Sequence, residues 1–110
     1  MVLTVTPSQL VGLLATQDVD LIDVRDASEY EAGHVAGARL LPLEVLRADP
    51  DAVLARGTTL VFVCAKGVRS LQAAKLAERF GHERVYSLDG GTKQWARSGM
   101  QLVAETRVAA

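Results

Sequence analysis

Short apolar runs and helical patterns take turns along the chain, and this alternation constrains the fold more than any other feature. Strands separated by helices belong to a parallel sheet whose crossovers lie on its faces. Residues 2–5 and 21–24 read as the first two strands, the second without polar alternation until Asp23 and therefore covered on both faces. Residues 37–42 read as a third strand or extended piece, residues 60–63 (LVFV) as the central strand, and residues 85–88 as a fifth. TPSQ opens the first helix: Thr6 is the N-cap, Pro7 takes the first position, Gln9 closes a capping box, and Val5 and Leu10 form a hydrophobic staple. A short helix over residues 28–32 stops at Gly33. ADPDAVLARG reads as a helical turn capped by Asp49, with Pro50 first and Gly57 beyond its end. The clearest helix, residues 68–80, carries Ala73, Leu76, Ala77 and Phe80 on one face and Gln72, Lys75, Glu78 and Arg79 on the other, with Gly81 as C-cap. DGG and a last short helix through Trp95 end near Gly99. The expected architecture is α/β, in three layers, with a central, mostly parallel five-stranded sheet between helices.

With 110 residues and 49% hydrophobic content, the chain suffices for one domain over residues 1–110, with one core. A net charge of −1 offers nucleic acid or an anionic membrane no general attraction, so neither is an expected partner. The N-terminus lacks a basic segment followed by an apolar one, and no apolar run approaches the ~20 residues needed to cross a bilayer. The expected location is the cytoplasm. The single cysteine, Cys64, has no partner for an internal disulfide and suits a reducing compartment.

Cys64 closes the central strand just ahead of a helix, at the strand end where open parallel sheets bind ligands. Backbone N–H groups of residues 65–70, wrapped around the sulfur, would form an anion-binding nest, and the helix dipole adds to it. Gly67 supplies freedom for positive φ, and Lys66 and Arg69 bring cations, so a lowered thiol pKa and a nucleophilic thiolate are expected. The alternative is that Cys64 is a small buried hydrophobe and the cations are solvated. Cations near a helix start oppose its dipole, which favours a bound anion.

CAKGVRS resembles the active-site loop of the rhodanese family of sulfurtransferases. LIDVRDASEYEAGHVAGARLLPL is similar to the family's amino-terminal signature, and SLDGGTKQW to its carboxy-terminal one, with Gly90, Gly91 and Trp95 in place. The likeness spans residues 3–103; only residues 44–59 contribute nothing to it. It implies a rhodanese-like fold and a double displacement: Cys64 accepts a sulfane sulfur from a small anionic donor such as thiosulfate, then yields it to cyanide or a thiol. No metal or organic cofactor is implied. Ala65, Lys66, Gly67, Val68, Arg69 and Ser70 would bind substrate, with Lys66 and Arg69 orienting the donor; Ala65 stands where family loops often carry Arg. Asp23 and Arg25, pairing with loop backbone or with Glu29, and His34 are expected as structural support. His82 is expected on the surface, and Trp95 in the core or at the pocket rim. Two rivals remain. A cysteine-dependent phosphatase also places Cys and Arg around amides, but with five intervening residues, where this loop has four. A sulfur-relay module would instead receive persulfide from a protein partner and act weakly on thiosulfate.

Overall fold

The computed structural model describes residues 2–104. In chain order the elements are β1 (Leu3–Val5), α1 (Pro7–Thr16), β2 (Val19–Asp23), α2 (Ala27–Ala32), β3 (Arg39–Leu40), α3 (Leu43–Ala48), α4 (Pro50–Val53), β4 (Thr59–Val63), α5 (Val68–Arg79), β5 (Val85–Leu88) and α6 (Gly91–Arg97). The five strands form one parallel sheet in the order β1-β5-β4-β2-β3. Central β4 is buried throughout, as a strand covered on both faces must be.

Side chains alternate across β4, and the core divides with them. Leu60, Phe62 and Cys64 join the cluster that includes Leu43 and Leu46 of α3 and Ala73, Ala74 and Ala77 of α5. Val61 and Val63 join Val5, Leu10 and Trp95, supplied from the opposite face. The layers follow from this division. Thr6 N donates to Gln9 Oε1 at 2.9 Å, and Gln9 N donates to Thr6 Oγ1 at 3.2 Å, the two halves of the capping box. Asp49 Oδ1 accepts from Ala52 N at 3.3 Å and starts α4. Trp95 is buried, its Nε1 donating to Gln101 O at 3.0 Å.

Two readings need correction, and one element is additional. Phe80 does not join the apolar face of α5: it is the C-cap and 41% exposed, while Ser70, Ala73, Ala74 and Ala77 face the sheet. Small residues let that helix approach β4 closely. Leu43 and Leu46 anchor α3, a helix with no counterpart in the sequence reading. His82 is only 8% exposed, because the chain turns back from α5 toward β5 at once and His82 N bonds Ala77 O. Among the described residues, no helix is long and apolar enough to cross a membrane.

Candidate active site

At the carboxyl end of β4, the chain leaves the sheet at Cys64 and curls around its sulfur before entering α5. The curl depends on Gly67, at φ +103°, where a side chain would be strained and would also press on Gly90 N. The turn aims two backbone donors at the sulfur: Gly67 N lies 3.1 Å and Ser70 N 3.3 Å from Sγ. Burial alone pushes the Cys64 thiol up, but the Ser70 hydroxyl and the N–H groups of Ser70, Gly67 and Lys66 outweigh it, and the net pKa is lowered. The site therefore favours a thiolate.

Ser70 is held from behind. Its Oγ lies 3.5 Å from Sγ, 3.2 Å from Gly67 O and 2.7 Å from Ser87 Oγ. Ser87 is fully buried on β5, so a strand neighbouring β4 reaches the sulfur through one hydroxyl. Sequence reading missed Ser87. Its signal was a polar residue on the same strand face as buried Val85, a position that calls for a partner.

The loop carbonyls are held too. Thr92 N donates to Cys64 O at 2.8 Å and Lys93 N to Ala65 O at 3.1 Å, so the start of α6 holds the loop's outward-turned backbone. The close approach requires Gly91, since a Cβ there would overlap the Cys64 carbonyl oxygen, and its φ of +62° suits glycine.

Among the charged groups, Glu29 approaches from α2. Arg69 Nη1 and Nη2 donate to its two carboxylate oxygens at 2.8 and 2.9 Å. That hydrogen bonding, opposed by burial and helped by the Asp26 N–H and the nearby guanidinium charges, pushes the Glu29 carboxyl down to about 2. Arg69 thus meets the site with its fork already on a carboxylate. Asp23 and Arg25 pair with each other rather than with the loop or Glu29: Arg25 Nη2 lies 2.7 Å from Asp23 Oδ2 and donates to Gly33 O at 2.7 Å, tying the end of β2 to the end of α2. His34 is buried, stacked on Tyr30 at 3.7 Å, with Nδ1 2.7 Å from Tyr30 O. It is absent from the lining of the cavity at the sulfur.

That cavity, of about 380 Å³, is lined by Glu29, Cys64, Ala65, Lys66, Val68 and Arg69. Lys66 and Val68 are exposed at its rim, whereas Cys64 is 1% exposed. The thiol thus borders the cavity but is nearly closed off from solvent. Among the described residues, no group of His, Cys, Asp and Glu is placed to hold a metal ion.

Residues 6–98 match the rhodanese-like domain family. The chain is 37% identical to the thiosulfate sulfurtransferase GlpE of Shewanella oneidensis, over 80% of this chain and 86% of that one. It is 34% identical to the probable adenylyltransferase/sulfurtransferase MoeZ of Mycobacterium tuberculosis, over 86% of this chain. It spans 24% of MoeZ and 59% of a further relative, the uncharacterised YqhL of Bacillus subtilis. In fold it is similar to a rhodanese-related protein of Thermoplasma volcanium, with a TM-score of 0.84 and 24% identity, over 94% of this chain and 99% of that one.

Proposed function

Since the chain belongs to the rhodanese-like domain family, we propose that it is a sulfurtransferase acting through a persulfide on Cys64. The observation that carries this reading is the sulfur itself, alone at the end of the central strand and facing Gly67 N and Ser70 N at 3.1 and 3.3 Å. The thiolate attacks the outer sulfur of thiosulfate; the sulfur–sulfur bond breaks, and sulfite departs with the bonding electrons. The product, Cys64–S–S⁻, keeps one negative charge. A newly bonded sulfur lies ~2.05 Å beyond Sγ, which carries the reactive atom from a buried position toward the cavity. Cyanide or a thiolate then attacks that outer sulfur, and Cys64 leaves as the thiolate it began as.

Lys66, exposed at the rim, steers the anionic donor and steadies the departing sulfite. Arg69, held by Glu29, contributes its charge and fixes the loop against α2. Asp23, Arg25 and His34 support the surrounding fold. The same chemistry serves a relay in which another protein presents the sulfur, and the likeness to MoeZ, named as both adenylyltransferase and sulfurtransferase, favours that as a second use. We take residues 1–110 as one domain whose lone thiol suits the reducing cytoplasm.

The test is release of thiocyanate from thiosulfate and cyanide. Wild-type protein turns over, Cys64→Ser does not, and Lys66→Ala is slower by about tenfold, the loss of one charge-assisted contact. Equal turnover by Cys64→Ser would overturn the reading.

A further inference from the structure

A second and larger cavity adjoins the first. It is a groove of about 450 Å³ between Asp89 and its neighbours on the β1–β5 side and the wall formed by the loop and α5. Lys66 and Val68 line both cavities, so they form the ridge between the groove and the sulfur. Cys64 does not line the groove. Its volume suits an organic ligand larger than cyanide or thiosulfate.

The α5 wall has a pattern. Val68, Leu71, Gln72 and Lys75 recur at the spacing of one helix face, apolar at the end near the sulfur and cationic at the other. From Val68 to Lys75 the helix rises about 10 Å, the reach of about three extended residues. Neither Lys66 nor Lys75 forms an ion pair with a described residue, and among the described residues Asp89 is the one carboxylate lining the groove. A ligand placed here meets an apolar floor near the ridge and an ammonium at the far end.

We propose that this groove binds the sulfur acceptor, a small peptide-like thiol that lays its body along α5, sets a carboxylate against Lys75 and reaches over the Lys66–Val68 ridge to the persulfide. The inference rests on the sulfurtransferase reading. The thiol gives its proton to solvent, its thiolate bonds to the outer sulfur of Cys64–S–S⁻, the bond to Sγ breaks, and Cys64 departs as a thiolate. The acceptor leaves as a persulfide, with no external oxidant or reductant.

The test separates the two half-reactions. Persulfidated protein is mixed with N-acetyl-Cys-Gly-Glu or with the uncharged N-acetyl-Cys-Gly-Gln amide, and loss of the sulfur is timed by intact mass. Wild-type protein is discharged faster by the acidic peptide. Lys75→Glu, on an exposed helix position, slows the acidic peptide by about three- to tenfold, the range for reversing one exposed charge pair. It leaves discharge of the uncharged peptide, discharge by cyanide and formation of the persulfide near wild type. Raising ionic strength erases the preference. If both peptides discharge wild-type protein equally, or Lys75→Glu slows both alike, the groove is not the acceptor site. If no persulfide forms at all, it is the sulfurtransferase reading that fails.

Discussion

Ser70 has one hydroxyl proton and three neighbours around it: the Cys64 sulfur, Gly67 O and Ser87 Oγ. A thiolate and a carbonyl both accept, and either hydroxyl can donate in the Ser70–Ser87 pair; with Ser87 as donor, the Ser70 proton is free for Gly67 O or the sulfur. When the thiol ionises, the Ser70 proton can turn from Gly67 O to the sulfur while Ser87 holds the oxygen in place. Ser87→Ala should therefore raise the thiol pKa and slow sulfur acceptance at neutral pH by about three- to tenfold, part of a hydrogen bond to a charged group. Alkylation rate against pH checks this, and an unchanged profile would leave Ser87 a packing residue. Glu29 tests the opposite sign. Its carboxylate stays ionised far below its ordinary range because Arg69 bonds it, so it repels an anionic donor at every working pH. Glu29→Gln should lower the KM for thiosulfate by up to about fivefold, the removal of one partly exposed charge interaction. A raised KM would mean instead that the ion pair's positioning of the loop matters more than its charge.

The loop is gripped by elements that are distant in sequence. α6 holds two loop carbonyls through Thr92 N and Lys93 N, and Gly91 permits that approach. Gly91→Ala should cost about 2 to 4 kcal/mol, combining a left-handed φ with a clash against backbone. It should also reduce thiol reactivity more than a peripheral variant of equal stability does, as melting temperature and alkylation measured together will show. Much of this scale was legible in sequence: the Thr6–Gln9 box, the Asp49 cap and the glycine turn after Cys64 are local signals, and the structure contains each of them. What escaped was non-local. Arg69 and Glu29 lie 40 residues apart and Ser70 and Ser87 17 apart, so only the folded sheet brings them together. α3 escaped because it is only six residues long, with just Leu43 and Leu46 buried, too few to reveal a period.

Taken whole, the molecule puts its candidate active site at one end of the sheet and a buried titratable group at the other. His82, with Arg56, Thr58 and Arg84, lines a polar pocket beside the amino end of β4. Burial first, then the nearby Arg56 cation, lowers its pKa below the ordinary 6.5, against a smaller opposing pull from Asp51. The unfolded chain therefore binds this proton more readily than the folded one, and stability declines as pH falls below about 6.5. Melting temperature should drop between pH 7.5 and 5.5, and His82→Gln should flatten that slope; an identical slope in the variant would remove His82 as its source. Sequence put His82 on the surface because a residue after a helix stop is usually exposed, and only the path of the chain into β5 buries it. The proposed chemistry at the other end depends on one atom. Intact-mass measurement after incubation with thiosulfate should find the protein heavier by one sulfur, mapped to Cys64 and removed by cyanide as thiocyanate. Failure of wild-type protein to gain that sulfur from thiosulfate or an organic persulfide, or an equal gain by Cys64→Ser, would contradict a Cys64 persulfide.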